Sequence, residues 1–421
     1  MTGFISILKA RGLFQDCSDE DGLSKLPAGT PFYVGFDPTA PSLQLGNLVP
    51  LIVTVHLAKA GMQPIILFGG ATGAIGDPSG KNAERQLLPR EVIDDNIRRH
   101  QATVEAILGR LSLKAQFVNN YDWTKELSVL DFLRETGKHF TVNYMIAKEV
   151  VKTRLQGEGI SYTEFSYMLL QAYDFLRLYQ DRGCRVQIGG SDQWGNITAG
   201  LELIRKKIQG EAFAFSIPLI TDSEGKKFGK TAAGAVWLDP AMTSPYRFHQ
   251  FWMNVPDADV IKYLRIFSFY SDSEVAELQN AMTASPEKRE AQRALADSVC
   301  TLVHGPDATR DAKRCAEVLF GGSLSGLSPQ QLEEIFQESP SSSISATKLQ
   351  QLSYVDLLLA SGLVKSKGDA RRLIQSGGAY LNNERVSKLE LQMSEAVGGS
   401  QEIIILRSGK KNYHLVRISG D

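Results

Sequence analysis

Short apolar runs alternate with helical segments over the first half of the chain. The runs FYVGF (32–36) and IILF (65–68) have the composition of buried strands, and helical periodicity follows at about 45–60 and 90–111. Strands that alternate with helices predict an α/β fold built on a parallel sheet. Further strands are predicted at 115–118, 185–190 and 216–220.

Beyond about Ser244 the pattern changes to helices with few strand candidates. It ends near Glu338, where the Ser-rich stretch ESPSSSISAT (338–347) has the composition of a linker. The remaining residues begin with helical segments and end with the strand-like runs AYLNN, EIIILR and YHLVRI. A separate small α+β unit is therefore expected in this last part of the sequence.

The composition is that of a globular protein, with 43% hydrophobic and 22% charged residues among 421. The formal net charge of −1 provides no general attraction to nucleic acid, so an RNA-binding surface must be a local basic patch. The four cysteines are widely spaced, which favours free thiols in a reducing cytoplasm. A cytoplasmic location is expected, because neither a secretory signal pattern nor an apolar run of about 18 residues is visible.

The segment GFDPTAPSLQLGN (35–47) is predicted to join a strand to the start of a helix. Free backbone N–H groups and the positive end of the helix dipole favour phosphate at such a place. Thr39 adds a hydroxyl, and Gln44 and Asn47 add amide donors. Gly46 allows a ligand to approach the backbone. A plain turn explains the same residues, so both interpretations stay open for this segment alone.

The motif KFGKT (227–231) places two lysines three residues apart, on either side of a glycine. Lys227 and Lys230 would suit a polyphosphate whose charge grows during a reaction. A solvated charged loop is the alternative, and so short a motif does not decide between the two.

Two glycine-containing motifs follow predicted strands. GGSDQWGN (189–196) contains Asp192, whose carboxylate can accept hydrogen bonds from ribose hydroxyls. GGATGAIGDPSGK (69–81) contains Asp77. Because ligands of open α/β sheets bind at the carboxyl ends of the strands, both motifs are candidates for one site.

A polar stripe lies on the otherwise apolar segment YMLLQAYDF (167–175). Tyr167, Gln171 and Asp174 are spaced by four and by three residues, which puts them on one face of a helix. If that face is buried, the stripe indicates a polar ligand; if it faces water, it needs no ligand.

These five motifs, in this order, resemble those of bacterial-type tyrosyl-tRNA synthetases, which are class I enzymes. GFDPTAPSLQLGN corresponds to the family's HIGH motif and KFGKT to its KMSKS motif, and SKGDARRLIQSGGAYLNNERV (366–386) resembles an S4-type RNA-binding fold. The resemblance covers essentially the whole chain. It implies a Rossmann-like parallel-sheet catalytic domain, then an α-helical domain and a small α+β S4-like domain.

The domain boundaries that the resemblance implies are as follows. The catalytic domain, with an inserted helical dimerisation region, is expected over 1–222, and the KMSKS-type loop and helical anticodon-side domain over 223–337. A Ser-rich linker is expected at 338–350 and the S4-like domain at 351–421.

The activity implied by the resemblance has two steps. Tyrosine and ATP would form tyrosyl-adenylate and pyrophosphate, and the tyrosyl group would pass to the 3′ end of tRNA(Tyr). ATP is expected as a substrate with Mg²⁺ bound to it, without a tightly bound cofactor or a dedicated metal site. The family is homodimeric, and the helical region at about 125–165 is a candidate for the subunit contact; neither DNA nor a membrane is expected as a partner.

The resemblance also implies roles for residues of this sequence. Expected to bind tyrosine are Tyr33, Asp37, Asp77, Tyr167, Gln171, Asp174, Gln187 and Gln193. Expected to bind ATP are Gly35, Gly46, Gly190, Asp192 and Lys230. Expected to act in catalysis at the ATP are Thr39, Gln44, Asn47, Lys81, Arg85, Lys227, Lys230 and Thr231. Candidate RNA contacts are Lys365, Lys367, Arg371, Arg372, Lys410 and Lys411.

The HIGH motif of this chain departs from the family pattern, since Gln44 and Asn47 stand where family members commonly have histidines. Amide N–H groups can replace imidazole N–H groups that act as neutral donors, but not imidazoles that act as general acids. The hypothesis is therefore a working ATP site with amide donors. The alternatives are a catalytically impaired RNA-binding paralogue, a tryptophan-specific relative, and a Rossmann dehydrogenase, which would need a GxGxxG motif.

Overall fold

A five-stranded parallel sheet organises the N-terminal part of the chain. The structure, a computed structural model, describes residues 3–79, 87–157, 159–225, 228–231, 234–397, 401–409 and 412–420. The chain divides into two units, residues 1–306 and 307–421. The predicted α/β fold is confirmed.

The sheet has the strand order β3-β2-β1-β4-β5. Its strands are β1 (Pro31–Phe36), β2 (Gln63–Phe68), β3 (Gln116–Asn119), β4 (Val186–Gly190) and β5 (Phe213–Ile217). The chain runs outward from β1 to β3 and then returns to place β4 on the other side of β1. The strand order therefore reverses between β1 and β4, which is where open α/β sheets bind ligands.

Helices pack on the sheet and extend beyond it. Those of the first unit are α1 (Gly3–Ala10), α2 (Glu20–Ser24), α3 (Leu48–Lys59), α4 (Thr72–Ile75), α5 (Arg90–Arg110), α6 (Tyr121–Thr124), α7 (Val129–Glu135), α8 (Val142–Ile146), α9 (Glu149–Gln156), α10 (Tyr162–Arg182), α11 (Trp194–Ile208), α12 (Pro245–Met253), α13 (Asp257–Phe267), α14 (Asp272–Ala284) and α15 (Glu290–His304). Short 3-10 helices are Leu45–Asn47, Gly137–His139, Ser191–Gln193 and Pro286–Lys288. A small antiparallel pair joins β6 (Lys230–Thr231) to β7 (Gly234–Ala235).

Helix α10 carries the predicted polar stripe and has clear signals at both ends. The Ser161 hydroxyl accepts a hydrogen bond from the backbone N–H of Glu164 at the start. Gly183 ends the helix in the left-handed conformation, with φ +66°. Apolar side chains of α10 such as Phe175 pack with those of α11 such as Leu203 in one buried cluster. The stripe therefore has a fixed position relative to the sheet.

The helical segment α12–α15 shares a buried core with the sheet. Trp252 and Phe248 of α12 are fully buried in this core, together with strand residues such as Phe32. Residues 245–304 therefore belong to the first unit rather than forming an independent helical domain.

The second unit contains a mixed five-stranded sheet of order β10-β9-β11-β12-β8. Its elements are α16 (Pro306–Val318), α17 (Pro329–Ile335), β8 (Ser341–Ser345), α18 (Ala346–Gln350), α19 (Tyr354–Ala360), α20 (Lys367–Gln375), β9 (Ala379–Leu381), β10 (Glu384–Arg385), α21 (Met393–Ala396), β11 (Ile403–Ser408) and β12 (Asn412–Ser419). One buried cluster joins α19 and α20 to the sheet. The expected small α+β unit is thus present.

The prediction of a linker at 338–350 is wrong. Residues 341–345 form the edge strand β8, which pairs in parallel with β12, and α18 follows directly. The Arg417 side chain of β12 also bonds the Ser341 hydroxyl and the Glu333 carboxylate of α17. The serine-rich composition predicted an unstructured linker. The strand forms because it pairs with β12, which lies some 70 residues further along the chain and is not visible in the local pattern.

Two other boundaries differ from the predictions. The strand expected at 216–220 lies at 213–217, because Pro218 has no N–H with which to continue the parallel pairing. The helical domain expected up to 337 is divided, since α16 and α17 belong to the second unit. There, the Asn383 amide donates to the carbonyl oxygens of Val318 and Gly322 and so attaches the end of α16 to the β9–β10 turn.

No helix within the described ranges is long and apolar enough to cross a membrane.

A buried ion pair joins α9 to α10. The Arg154 guanidinium donates to both carboxylate oxygens of Glu164 at 2.9 and 2.8 Å, and the two side chains are 5% and 0% exposed. Arg154 also donates to the carbonyl oxygen of Gly159. Removal of either partner would leave a buried charge without its counter-charge.

We expect Glu164→Gln to lower the free energy of unfolding of the first unit by about 3–5 kcal/mol, because Arg154 then stays buried without a carboxylate. The exposed pair Lys9–Glu20 provides a matched control, and Glu20→Gln should lower it by no more than about 1 kcal/mol. Urea denaturation followed by tryptophan fluorescence measures both changes. Similar losses in the two variants would contradict the prediction.

Candidate active site

The carboxyl ends of β1 and β4 open into a cavity of about 350 Å³. Asp37 directly follows β1 and Asp192 lies two residues after the end of β4, so the cavity lies at the switch point of the sheet. The predicted residues that line it are Tyr33, Gly35, Asp37, Thr39, Gln44, Gly46, Asn47, Asp77, Tyr167, Gln171, Asp174, Gln187, Gly190, Asp192 and Gln193. Their individual roles remain predictions.

The remaining predicted catalytic residues are Lys81, Arg85, Lys227, Lys230 and Thr231. Lys81, Arg85 and Lys227 lie outside the described residues. The backbone of Lys230 and Thr231 forms strand β6.

The most buried acidic side chain of the cavity is that of Asp174 on α10, which is 2% exposed. Its Oδ1 accepts a hydrogen bond from Trp123 Nε1 at 2.8 Å, and its Oδ2 accepts one from Asn120 Nδ2 at 2.9 Å. The pKa of Asp174 is raised to about 7, chiefly by burial and in smaller part by the nearby Asp37 charge. The two donated hydrogen bonds act in the opposite direction, because they stabilise the ionised form.

The same hydrogen-bond network continues to Asp37. Asn120 Nδ2 also donates to Thr72 Oγ1 at 3.0 Å, and Thr72 Oγ1 donates to Asp37 Oδ1 at 2.7 Å. The Tyr167 hydroxyl donates to Asp37 Oδ2 at 2.7 Å. Two carboxylates of the cavity are thus held in place by four donor side chains from three different parts of the sequence.

Four cavity residues carry buried polar atoms that have no hydrogen-bond partner among the described residues. These atoms are Tyr33 OH, Ser79 Oγ, Gln171 Oε1 and Gln187 Oε1. A buried polar group without a partner costs roughly 1–3 kcal/mol. Four of them around one cavity indicate a ligand with several hydrogen-bonding groups.

Tyr33 lines the cavity from strand β1. In the sheet register, Tyr33 on β1 is paired with Gln187 on β4, so both side chains lie on the same face. The Tyr33 ring packs on the ring of Phe175 with centroids 5.3 Å apart. Burial, together with the Asp174 charge, raises the pKa of Tyr33 well above its usual value, so the hydroxyl keeps its proton.

The polar stripe on α10 faces the cavity and not water. Tyr167 and Asp174 are buried and Gln171 is partly buried. The sequence left two interpretations of this stripe open, and the burial decides in favour of a polar ligand site.

Asp77 and Gln193 form a second hydrogen-bonded cluster in the cavity. Gln193 Nε2 donates to Asp77 Oδ2 at 2.5 Å, and Gln193 Oε1 accepts from Asn196 Nδ2 at 3.2 Å. The backbone N–H of Ser79 donates to Asp77 Oδ1 at 3.0 Å. The loop after α4 is thereby attached to the 3-10 helix that follows β4.

The segment before α3 is clamped to the chain that follows the KFGKT motif. Leu45 N donates to Val236 O at 2.9 Å, and Leu238 N donates to Leu43 O at 2.9 Å. Val236 N in turn donates to Gly229 O at 3.2 Å. The two segments predicted to hold ATP phosphates are therefore adjacent.

Gly229 and Phe228 fix this arrangement locally. Gly229 has φ +81°, and a Cβ there would come within 3.2 Å of the Leu45 Cβ, so the position favours glycine. Phe228 packs among aromatic side chains of α12 and α13, with ring centroids 5.6 Å from Trp252 and 4.7 Å from Tyr263.

The two amide side chains of the 44–47 segment occupy different environments. Asn47 Oδ1 accepts a hydrogen bond from the backbone N–H of Gln44 at 2.9 Å, which leaves the Asn47 NH2 group as a donor. Gln44 is exposed and lines the cavity. Both side chains carry amide N–H groups, and their role as donors to ATP stays a prediction.

Thr72, Ser79, Asn120 and Trp123 belong to the site although sequence reasoning missed them. Thr72 and Ser79 lie inside the motif GGATGAIGDPSGK, of which only Asp77 and Lys81 were singled out. Asn120 directly follows β3 and Trp123 lies in α6 just beyond it, so residues able to donate hydrogen bonds after a predicted strand were the available signal.

The candidate RNA contacts that the structure describes lie within α20 or just before it and are exposed. Lys367 Nζ is 2.6 Å from Asp356 Oδ1, and Arg372 is paired with Asp369. Lys365 and Arg371 form no ion pair within the described ranges. Lys410 and Lys411 lie outside them.

In the described part of the chain, no group of three or more His, Cys, Asp or Glu side chains is arranged to hold a metal ion.

Comparison with known proteins identifies the class of protein that this fold and site define. The sequence pattern of the family "tRNA synthetases class I (W and Y)" matches residues 29–321, and that of the tyrosine–tRNA ligase SYY-like C-terminal domain matches residues 331–416. The chain belongs to the class I tRNA synthetase family (W and Y). The resemblance found in the sequence is thus confirmed.

Individual relatives are similar over nearly their whole length. A tyrosine–tRNA ligase of Geobacillus kaustophilus is 48% identical over 419 residues, which covers 97% of this chain and 98% of the relative. Tyrosine–tRNA ligase 1 of Bacillus subtilis is 46% identical, covering 99% of both chains. The crystal structure of a C-terminally truncated mitochondrial tyrosyl-tRNA synthetase of Aspergillus nidulans has a TM-score of 0.69 at 29% identity, covering 76% of this chain and 95% of that chain.

We expect the Asp174 carboxyl of the ligand-free protein to titrate near pH 7, as its burial implies. Trp123→Phe should raise this pKa further, because it removes one N–H donor to the ionised form. Carbon-13 NMR of aspartate-labelled protein measures both values. Asp95, whose pKa is lowered by hydrogen bonds from Arg99 and Arg98, serves as the unaffected control. An Asp174 pKa near 4 would contradict the prediction.

Proposed function

We propose that this chain is a tyrosine–tRNA ligase: it activates L-tyrosine with ATP and transfers the tyrosyl group to the 3′ end of tRNA(Tyr). In the first step, a tyrosine carboxylate oxygen attacks the α-phosphorus of ATP and pyrophosphate leaves. In the second, a terminal ribose hydroxyl of the tRNA attacks the carbonyl carbon and AMP leaves. The close relatives that carry this name support the proposal.

The observation that carries the amino-acid part of the proposal is the buried hydroxyl of Tyr33 beside the Asp174 carboxylate. In this proposal, the substrate phenol donates to Asp174 and accepts from the Tyr33 hydroxyl. Phenylalanine would leave the buried Tyr33 hydroxyl without a partner and would donate nothing to Asp174, which is how a site that binds a hydroxyl rejects the analogue lacking it. Tyrosyl-tRNA synthetases are themselves the usual example of this kind of discrimination.

The ammonium and carboxylate of tyrosine would bind nearer the mouth of the cavity. Asp77, Tyr167 and Gln171 are proposed to accept the three N–H groups of the ammonium. Gln193 would lie near the carboxylate as it attacks. The supporting observations are that Tyr167 donates its proton to Asp37, so that its oxygen is available as an acceptor, and that Gln171 Oε1 has no partner in the described part of the chain.

ATP is proposed to bind across the carboxyl ends of β1 and β4. Asp37 and Gly35 would line the adenylate site, and Gly190 and Asp192 would contact the ribose. Thr39, Gln44 and Asn47 would donate to ATP, with the two predicted lysine-bearing loops closing over the pyrophosphate. Mg²⁺ would arrive bound to the ATP phosphates, as it commonly does in nucleotide sites.

The proposal includes self-association and RNA binding. Several large apolar side chains between 129 and 162 are exposed, among them Val129 (73%), Leu130 (78%) and Tyr162 (74%). Exposed apolar surface of this kind favours a protein partner, and a second copy of the chain is the proposed one.

Lys365 and Arg371 of the second unit are proposed to contact tRNA phosphates. The proposed location of the protein is the cytoplasm.

ATP–pyrophosphate exchange tests the activity. The wild-type protein should exchange pyrophosphate with tyrosine and not with phenylalanine or tryptophan. Tyr33→Phe should weaken the use of tyrosine by roughly 2–10-fold, because one hydrogen bond to the phenol is lost, while any residual exchange with phenylalanine should rise, because that substrate no longer leaves the Tyr33 hydroxyl unpaired. A wild-type protein without tyrosine-dependent exchange would instead support the impaired RNA-binding paralogue.

Gln44→Ala tests the amide hypothesis. The exchange rate should fall by roughly tenfold or more, because a hydrogen bond to a charged phosphate contributes about 1.5–3 kcal/mol. Gln44→His restores the residue that the family commonly carries and should keep most of the activity. An exchange rate unchanged in Gln44→Ala would mean that Gln44 makes no contact in the transition state.

A further inference from the structure

The Ser79 hydroxyl is a buried group of the cavity to which neither the motifs nor the proposed mechanism gives a role. Ser79 is 6% exposed and lines the cavity, and its Oγ atom has no hydrogen-bond partner among the described residues. Because a hydroxyl without a partner is costly to bury, a bound ligand is its natural partner.

The position of this hydroxyl is fixed by bonds that do not involve it. The backbone N–H of Ser79 donates to Asp77 Oδ1 at 3.0 Å, which forms an Asx turn. Asp77 Oδ2 accepts from Gln193 at 2.5 Å. The hydroxyl is therefore held close to the Asp77–Gln193 pair, where the head group of the amino acid is proposed to bind.

A count of donors and acceptors indicates which ligand atom the hydroxyl meets. An ammonium group has three N–H donors, and Asp77, Tyr167 and Gln171 already provide three acceptors for them. No ammonium proton then remains for Ser79. The next polar group of an amino acid is its carboxylate, which accepts hydrogen bonds, and a serine hydroxyl can donate one.

We propose that the Ser79 hydroxyl donates a hydrogen bond to a carboxylate oxygen of the bound amino acid and so acts as a substrate-binding residue. This inference rests on the proposed function, since it takes tyrosine as the ligand. The bond holds the carboxylate beside Gln193 before it attacks ATP. Ser79 thereby adds an attachment point for the carboxylate on the loop after α4, in addition to Gln193 in the 3-10 helix after β4.

Equilibrium binding of two ligands in the absence of ATP tests the proposal. Tyrosine has the carboxylate, and tyramine, the matching amine, lacks it. Ser79→Ala should weaken tyrosine binding by roughly tenfold or more, as expected for a hydrogen bond to a charged group, and should leave tyramine binding unchanged. Ser79→Thr keeps a hydroxyl and should retain most of the affinity for tyrosine.

The outcomes separate this inference from the proposed function. Equal weakening of tyrosine and tyramine in a folded Ser79→Ala protein, checked by its thermal unfolding midpoint, would overturn the contact with the carboxylate. Unchanged tyrosine binding in Ser79→Ala would overturn it as well. A wild-type protein that binds neither ligand would overturn the proposed function itself.

Discussion

The buried carboxylate of Asp174 is the constraint on which the site depends. A charge so far from water needs donors, and Asn120 and Trp123 provide them from the segment after β3. Asn120 also accepts from the backbone N–H of Ala71 and donates to Thr72, so one amide joins α10, the end of β3 and the start of α4. The relative position of these three elements sets the shape of the cavity.

The second feature of the cavity is its buried polar atoms that have no hydrogen-bond partner in the described part of the chain. The cavity combines donors that are fully used, such as the Asn120 amide, with oxygens that have no partner in the described part of the chain, such as Gln171 Oε1. The first kind holds the geometry in the absence of a ligand. The second kind makes the ligand-free state less stable than it could be, and a ligand with matching groups recovers that energy. Rigid geometry and unmet hydrogen bonds are both needed for selective binding.

Local patterns predicted much of the fold and of the site, and long-range pairing explains what they missed. The strands at 32–36 and 65–68 are apolar runs bounded by loops, and the stripe on α10 has helical spacing, so both were readable from sequence. The role of Asn120 depends on which strand lies beside which, and no local pattern contains that. Strand β8 was missed for the same reason, because its partner β12 is distant in sequence.

The pairing of β8 with β12 has a consequence for chimeric proteins. A recombinant exchange of C-terminal modules between relatives, if joined in the serine-rich stretch, would leave β8 behind and expose the backbone edge of β12 to other chains. It would also separate Glu333 from Arg417 and Asn383 from the end of α16. The transferable module therefore begins near residue 307, before α16, and not at the apparent linker.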